Sequence, residues 1–169
     1  MILFETPRLL VRQWEVNDLD HLFFLYSDPA VMQFIRATLS LEETRQILLS
    51  HIEHYKTHPF EGRFGVIEKN SENFIGTFLL KPSDAVEGME IGYAFLKACW
   101  GRGLGTEVVK GGVTFAFDKT GVEELFAITE ISNEASKNVL RKCGFRQLDN
   151  FLEHGKEVNL FVIPCTPYR

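Results

Sequence analysis

Trp100-Gly101-Arg102-Gly103-Leu104-Gly105-Thr106 sets a glycine at every second position and runs directly into Glu107-Val108-Val109, where a helical pattern begins. Glycine has no Cβ, so alternate glycines let a loop turn sharply and bring its amides close to a ligand. The first N–H groups of the following helix lack intrahelical partners, and the helix dipole adds partial positive charge there. A loop of this kind opening a helix is an anion site, most often for phosphate. Arg102 adds a fixed cation inside it. A bare strand-to-helix turn needs one glycine, not three.

The loop is not a Walker A sequence, because no Lys follows its last glycine. Nor is it the G-x-G-x-x-G dinucleotide fingerprint, since Gly101, Gly103 and Gly105 read G-x-G-x-G. Glu123 and Glu124 stand where a ribose-binding acid is expected. That fingerprint follows a strand at once, however, and the strand-like Glu90-Ile91-Gly92-Tyr93-Ala94-Phe95 ends well before Gly101.

A second segment narrows the choice. Leu125 to Ile131 is an apolar, β-favouring run, followed by Asn133-Glu134-Ala135-Ser136-Lys137-Asn138-Val139-Leu140-Arg141-Lys142-Cys143-Gly144-Phe145. Asn133 suits an N-cap and Gly144 a C′ stop.

With these segments in place, the chain resembles the GNAT superfamily of acetyl-CoA-dependent N-acyltransferases. It is most similar to the branch containing the ribosomal-protein N-terminal acetyltransferases. Trp100 to Glu107 matches that branch's W-G-[KR]-G-x-[AG]-T-E loop. Asn133, Ser136, Val139, Leu140, Gly144 and Phe145 match its N-x-x-S, hydrophobic and G-F pattern. Thr6 to Arg12, Ser27 to Met32 and the E-I-G-Y strand Glu90 to Tyr93 match in the same order. The match departs at Trp100, where the wider superfamily has Gln or Arg, and at Leu104, where an aromatic is frequent.

Composition bounds the rest. A chain of 169 residues, 45% hydrophobic and 24% charged, has material for one core, so 1–169 is expected to be a single domain. Net charge of −5 argues against nucleic-acid binding, which needs a basic surface. Cys99, Cys143 and Cys165 are odd in number and lack C-x-x-C spacing, so they read as reduced thiols. Met1-Ile2-Leu3-Phe4-Glu5 acquires charge too soon for a signal peptide, and no apolar run approaches the ~20 residues that span a bilayer. A cytoplasmic protein without membrane contact is expected, as monomer or homodimer.

In order, Leu9 to Trp14 reads as a first strand, and Asn17 as the cap of a helix through Tyr26 that Asp28-Pro29 ends. Ser40-Leu41-Glu42-Glu43 has capping-box spacing, predicting a helix to about Lys56. His51, His54 and His58 fall on roughly one face of it and read as a wet edge, since no carboxylate or thiol completes a metal set. Strands at Phe64–Glu68, Phe74–Lys81 and Met89–Phe95 form an antiparallel meander. The loop helix, to about Phe117, crosses over to the Leu125 strand, which requires a parallel pair. Gly111-Gly112 within it points to close packing on the sheet. Strands near Arg146–Phe151 and Glu157–Ile163 complete the chain. The fold class is α/β, a mixed sheet of about seven strands, mostly antiparallel with a central parallel pair, flanked by about four helices. The resemblance implies the same fold.

The resemblance also implies roles. The diphosphate of acetyl-CoA, the cosubstrate, lies on the amides of Trp100, Gly101, Arg102, Gly103, Leu104, Gly105 and Thr106. Pantetheine runs along Tyr93, Ala94, Phe95 and Leu96, where a backbone N–H can polarise the thioester carbonyl. Asn133 contacts the pantetheine arm. Ser136 either protonates the leaving thiolate or serves as a helix-start hydroxyl. The acceptor is a primary amine, on a small molecule or a protein N-terminus. Glu90 is the candidate base because it begins the thioester strand, with Glu130 second; each also fits a surface carboxylate. Cys99 has no His at a recognisable spacing to activate it, which argues against an acyl-cysteine route. Phe34, His154 and Tyr168 are candidate pocket residues. A non-catalytic acyl-CoA-binding module shares the loop, and only turnover separates the two.

Overall fold

Strand formation starts earlier than the alternation suggests: Ile2–Glu5 (β1) folds back on Leu9–Arg12 (β2) as an antiparallel pair. The computed structural model describes residues 1–165, so Tyr168 lies outside the described residues. After β2 come α1 (Leu19–Tyr26), α2 (Pro29–Met32) and α3 (Leu41–His54), then β3 (Gly62–Glu68), β4 (Asn73–Pro82) and β5 (Met89–Phe95). The chain continues through α4 (Leu104–Thr120), β6 (Glu124–Glu130) and α5 (Glu134–Lys142). It closes with β7 (Arg146–Gln147), β8 (Phe151–Glu153) and β9 (Lys156–Pro164).

The nine strands form one sheet in the order β1-β2-β3-β4-β5-β6-β9-β7, with β8 pairing β9. The β5–β6 pair is parallel, and the other pairings are antiparallel. This is the mixed α/β sheet expected from the sequence. The count exceeds seven because β1 was not anticipated and the strand expected near 146–151 divides into β7 and β8.

The helix starts follow local chemistry, with one correction. Ser40 and Glu43 close a reciprocal capping box on α3, and Asn133 Oδ1 accepts from Ser136 N at the start of α5. Asn17, by contrast, caps nothing. A 3₁₀ turn at Val16–Asp18 intervenes, and the side chain that organises it is Asp18. Its carboxylate takes the Glu15 amide at 2.8 Å and both terminal nitrogens of Arg12 at 2.7 and 2.8 Å. Asp28-Pro29 opens α2 rather than merely ending α1: Asp28 accepts from Ala30 N, and Pro29 occupies the first turn, where it needs no donor.

Much of the core is aromatic. Tyr55 stacks on Phe64, Phe64 on Phe78, Phe4 meets Phe78 edge-on, and Phe115 joins Phe4 and Phe60. Burying each phenylalanine is worth about 1.5–3 kcal/mol, so this chain ties β1, β3, β4 and α4 into one unit. The close packing expected at Gly111-Gly112 is present. A Cβ on Gly112 would collide with the Phe78 ring, and one on Gly111 would sit 2.7 Å from Thr6 Cγ2. No helix among the described residues is long and apolar enough to cross a membrane.

Candidate active site

The parallel pair at the centre of the sheet is almost unzipped. Between β5 and β6 only Met89↔Leu125 and Glu90↔Phe126 are in register. On its other side β5 stays paired with β4 as far as Phe95↔Gly76. The second half of β5 therefore has one satisfied edge and one open edge. Backbone groups alternate sides along a strand. The Leu96 amide donates to Ile75 O at 2.9 Å and Gly88 O accepts from Ser83, so the even-numbered residues face β4. The amides of Ile91, Tyr93 and Phe95 consequently face the opened seam. Leu96, expected to offer its backbone to a ligand, has its amide committed to β4.

Following β5, a 3₁₀ turn at Lys97–Cys99 leads into the glycine loop. Trp100 Nε1 donates to Phe95 O at 2.8 Å and fixes the loop to the end of β5. Gly101 and Gly103 both take positive φ, +73° and +76°. Gly103 is the N-cap of α4 in left-handed conformation, which is why glycine is needed, and no side chain among the described residues caps that helix. The first intrahelical bond is Glu107 N to Gly103 O at 3.2 Å, leaving the amides of Leu104, Gly105 and Thr106 ahead of it. Gly105 serves a different purpose: a Cβ there would stand 3.0 Å from the Tyr93 ring, so its absence lets Tyr93 lie against the start of α4.

Arg102 does not point freely at the helix start. Its guanidinium pairs with Glu68 and sits 4.0 Å from Cys99 Sγ. A second cation, not anticipated from the sequence, stands beside it. Arg8 Nη1 donates to Arg102 O at 3.0 Å, and its Nη2 is the nearest heavy atom to a Cβ built on Gly103, at 3.7 Å. Arg8 in turn is held by Glu107, Nε to Oε2 at 2.6 Å. Glu107 Oε1 also accepts from Thr6 Oγ1 at 2.6 Å and from Arg8 N at 2.8 Å. Burial works against the Glu107 carboxylate, but these hydrogen bonds and the Arg8 charge outweigh it and hold the pKa below the ordinary value. A groove of about 700 Å³ between Leu3–Pro7 and α4 borders Glu107 but contains no residue of β5 or α5.

Ser136 approaches from α5. Its backbone amide is taken by Asn133 Oδ1 at 3.1 Å, so its hydroxyl is not needed as a cap. Burial pushes the Tyr93 phenol up to about 12, and the neighbouring Ser136 side chain opposes that rise. The fold thus brings Tyr93, Gly105 and Ser136 together, although they lie on three different elements.

The two candidate carboxylates differ. Glu90 Oε2 accepts from Ser83 Oγ at 3.4 Å. Burial raises its pKa, Lys81 opposes that, and Glu153 adds to it. Glu130 accepts from Lys156 Nζ at 3.1 Å at the far end of β6. A carboxyl whose pKa is raised by burial has the property a proton acceptor needs, and Glu90 has it.

Near Arg63 of β3 lies a polar group the sequence does not announce. His51, expected at a wet edge, turns inward, and its Nε2 is buried without a partner among the described residues. Burial, then Arg63 and Arg36, pull its pKa down to about 4, so it is neutral near pH 7. His54 and His58 stack at 4.7 Å instead of joining it. Among the described residues no group of three His, Cys, Asp or Glu can hold a metal ion. Phe34 is half-buried in the segment after α2, whereas His154 is exposed in the β8–β9 turn with φ +48°.

Residues 8–146 match the model of the acetyltransferase (GNAT) domain. An uncharacterised N-acetyltransferase, p20 of Bacillus licheniformis, is 28% identical over 145 residues, covering 84% of this chain and 81% of its own length. Among solved structures, the ribosomal-protein-S5-alanine acetyltransferase of Vibrio fischeri superposes with a TM-score of 0.80 at 18% identity, covering 100% of this chain and 99% of that one. The spermidine N-acetyltransferase of Vibrio cholerae, in complex with CoA and spermine, gives 0.77 at 18% identity, covering 94% and 96%. These structural likenesses concern the fold.

Proposed function

The chain belongs to the GNAT acetyltransferase family, and from that premise we propose that it transfers acetyl from acetyl-CoA to a primary amine by direct attack in a ternary complex. One observation carries this reading: the parallel seam opens beside a helix N-terminus that no side chain caps. The amides of Leu104, Gly105 and Thr106, with the helix dipole behind them, suit a diphosphate. Arg8 and Arg102 supply positive charge beside it, and the Trp100–Gly103 backbone shapes the approach. The open edge of β5 suits the amide-bearing pantetheine arm, which pairs there as an added strand does. Tyr93 and Phe95 provide the amides, while Ala94 and Leu96 face β4. Asn133 uses Oδ1 on its own helix and keeps Nδ2 for the arm.

The chemistry follows from that placement. A side-chain ammonium with pKa near about 10.4 cannot attack until it loses a proton, whereas an α-amine near about 8 needs less help. Glu90, its pKa raised by burial, takes the proton, directly or through water. The nitrogen lone pair forms the N–C bond as the C–S bond breaks. A backbone N–H of Tyr93 or Phe95 meets the charge that develops on the carbonyl oxygen. The Ser136 hydroxyl, beside Tyr93, gives its proton to the leaving sulfur and is reprotonated by the second proton that the nitrogen sheds on becoming an amide. The products are an N-acetyl amine and the free thiol of CoA.

Calorimetric titration with CoA, ATP and NAD, followed by thiol release from acetyl-CoA with a panel of amines, tests the reading. CoA binding and amine-dependent thiol release are expected. Absence of heat with CoA would overturn it, and tight CoA binding without turnover by any amine would leave a binding module.

A further inference from the structure

Two buried polar atoms, on Tyr26 and His51, neighbour two arginines that have no carboxylate partner among the described residues: Arg36 lies over the Tyr26 ring, and Arg63 and Arg36 both act on the His51 imidazole. Tyr26 is only 2% exposed, and neither its hydroxyl nor the buried His51 Nε2 has a hydrogen-bond partner among the described residues. Buried polar groups are nearly always satisfied, so two orphans in one place call for an explanation. The Arg36 guanidinium lies 5.0 Å from the centroid of the Tyr26 ring. Arg63 is half-buried on β3, and its guanidinium makes one hydrogen bond among the described residues, Nη1 to Thr77 Oγ1 at 3.1 Å. A guanidinium has five N–H donors, and four are left over here. Neither Arg36 nor Arg63 has a carboxylate within salt-bridge distance among the described residues, whereas Arg8, Arg12, Arg45 and Arg102 each do. The acids nearby are engaged: Asp18 by Arg12, and Glu43 by the amide and hydroxyl of Ser40.

This group stands next to the thioester strand. Arg63 is in register with Leu79 of β4, which is in register with Gly92 of β5. Thr77, which Arg63 touches, is in register with Ala94. Two strand spacings therefore separate Arg63 from β5, roughly 10 Å, a span that a long arginine and a small acceptor can bridge. The opposite face of β5 is closed, because Tyr93 and Ile91 pack against Gly105 and Gly112 of α4. On the Arg63 face β5 presents Gly92, half-buried and without a side chain, Ala94, which is packed into the core, and Glu90, which takes the proton.

We propose that the acceptor amine carries a carboxylate, which Arg63 receives with support from Arg36 while Glu90 faces the nitrogen. This rests on the assignment of β5 as the thioester strand. A half-buried guanidinium binds a carboxylate in a two-point fork and with strongly charge-assisted hydrogen bonds. A polyamine offers nothing to these arginines and is repelled by them. The carboxylate can be that of a free amino acid or an acidic side chain at a peptide N-terminus.

The test uses the full chain and acetyl-CoA, with thiol release as readout. Free amino acids are compared with their carboxamides, and C-terminally amidated tetrapeptides beginning with Asp or Glu with their Asn or Gln counterparts; spermidine serves as the cationic control. Carboxylate-bearing amines are expected to exceed their neutral partners at least tenfold in kcat/KM, and the arm showing the ratio identifies the source. Arg63→Gln should bring that ratio to within about twofold of unity with the KM for acetyl-CoA unchanged, and Arg63→Lys should retain part of it. Calorimetric titration of L-glutamate and L-phenylalanine into CoA-loaded wild type and Arg63→Gln gives a readout independent of turnover, with binding at least tenfold weaker in the variant. Equal handling of acids and amides in both arms, equal use of spermidine, no binding of either amino acid when the amino-acid arm shows the ratio, or a ratio untouched by Arg63→Gln would each overturn the proposal. If CoA still binds and some amine is still acetylated in those cases, the proposed function stands; if CoA does not bind, that reading is what fails.

Discussion

Glu107, on the first turn of α4, and Arg8, at the entry to β2, form a hydrogen-bonded ion pair with Nε to Oε2 at 2.6 Å across 99 residues of sequence. Thr6 and the Arg8 amide share the same carboxylate. The start of the chain is thereby bolted to the helix whose free amides define the site, and Arg8 reaches the carbonyl of Arg102 from that anchor.

Replacing Glu107 by Gln keeps the shape and removes the charge. Hydrogen bonds to charged groups contribute about 1.5–3 kcal/mol each. A loss of that order should lower Tm by several degrees, given roughly 2–4 °C per kcal/mol in a domain of this size. The folded-state pKa of Glu107 is depressed below its ordinary 4.5. Its stabilisation is therefore present above the unfolded value and disappears as pH falls through the folded one. Thermal melts from neutral pH down to about pH 3 should show wild type losing stability more steeply than Glu107→Gln in acid. Parallel curves would place the clamp outside the energetics of the fold.

Glu90 has the opposite shift. As the proton acceptor it is active when ionised, so kcat/KM should rise with pH along a limb displaced above the ordinary carboxylate value. Glu90→Gln should remove that limb and cost about 10²–10⁴ in rate. A raised folded pKa contributes stability below the unfolded pKa and loses it as pH rises through the folded pKa. At pH 7 the variant is therefore expected to melt no lower than wild type. A wild-type rate profile in Glu90→Gln would transfer the role to another group or to water.

Gly103→Val forces a β-branched residue into φ +76° at the cap of α4. Strain of this kind costs about 1–3 kcal/mol, which shifts the melt without abolishing the fold. CoA affinity should fall by roughly two orders of magnitude, since the methyls crowd the amides that take the diphosphate. Calorimetry on the folded variant decides it: undiminished affinity would remove the helix start from the binding site.

Ser136→Ala and Asn133→Ala separate chemistry from capping. Asn133 holds the Ser136 amide, so its loss should cost about 1 kcal/mol in stability. The Ser136 hydroxyl holds no cap, so Ser136→Ala should leave Tm nearly unchanged while kcat drops and CoA affinity persists. Tyr93→Phe should move kcat in the same direction. A Ser136→Ala enzyme with normal kcat would return the hydroxyl to a local role.

The elements most legible in the sequence are those fixed by neighbours in the chain. The Ser40–Glu43 box, the Asn133 cap and the glycine run before Glu107 need only a few residues each, and all are found where the spacing predicts. Asn17 fails as the expected cap because a 3₁₀ turn shifts the helix start by one residue and hands its organisation to Asp18. Local pattern cannot distinguish Asn from Asp at adjacent positions when a distant Arg12 decides between them. Arg8 beside Gly103, Glu68 on Arg102, and the inward turn of His51 are contacts between elements far apart in sequence. They arise from register and packing, which a one-dimensional pattern does not contain. The parallel pair is foreseeable from the crossover, but its registration at only two positions is a matter of tertiary packing that no local pattern encodes.

Only those two residue pairs, Met89↔Leu125 and Glu90↔Phe126, lace the first five strands to the last four. A molecule lying along the free edge of β5 supplies rungs the ladder lacks, so the cosubstrate acts as mortar as well as reagent. Amide hydrogens of β6 and β9 should exchange faster without coenzyme than with it, as the two halves breathe along their common hinge.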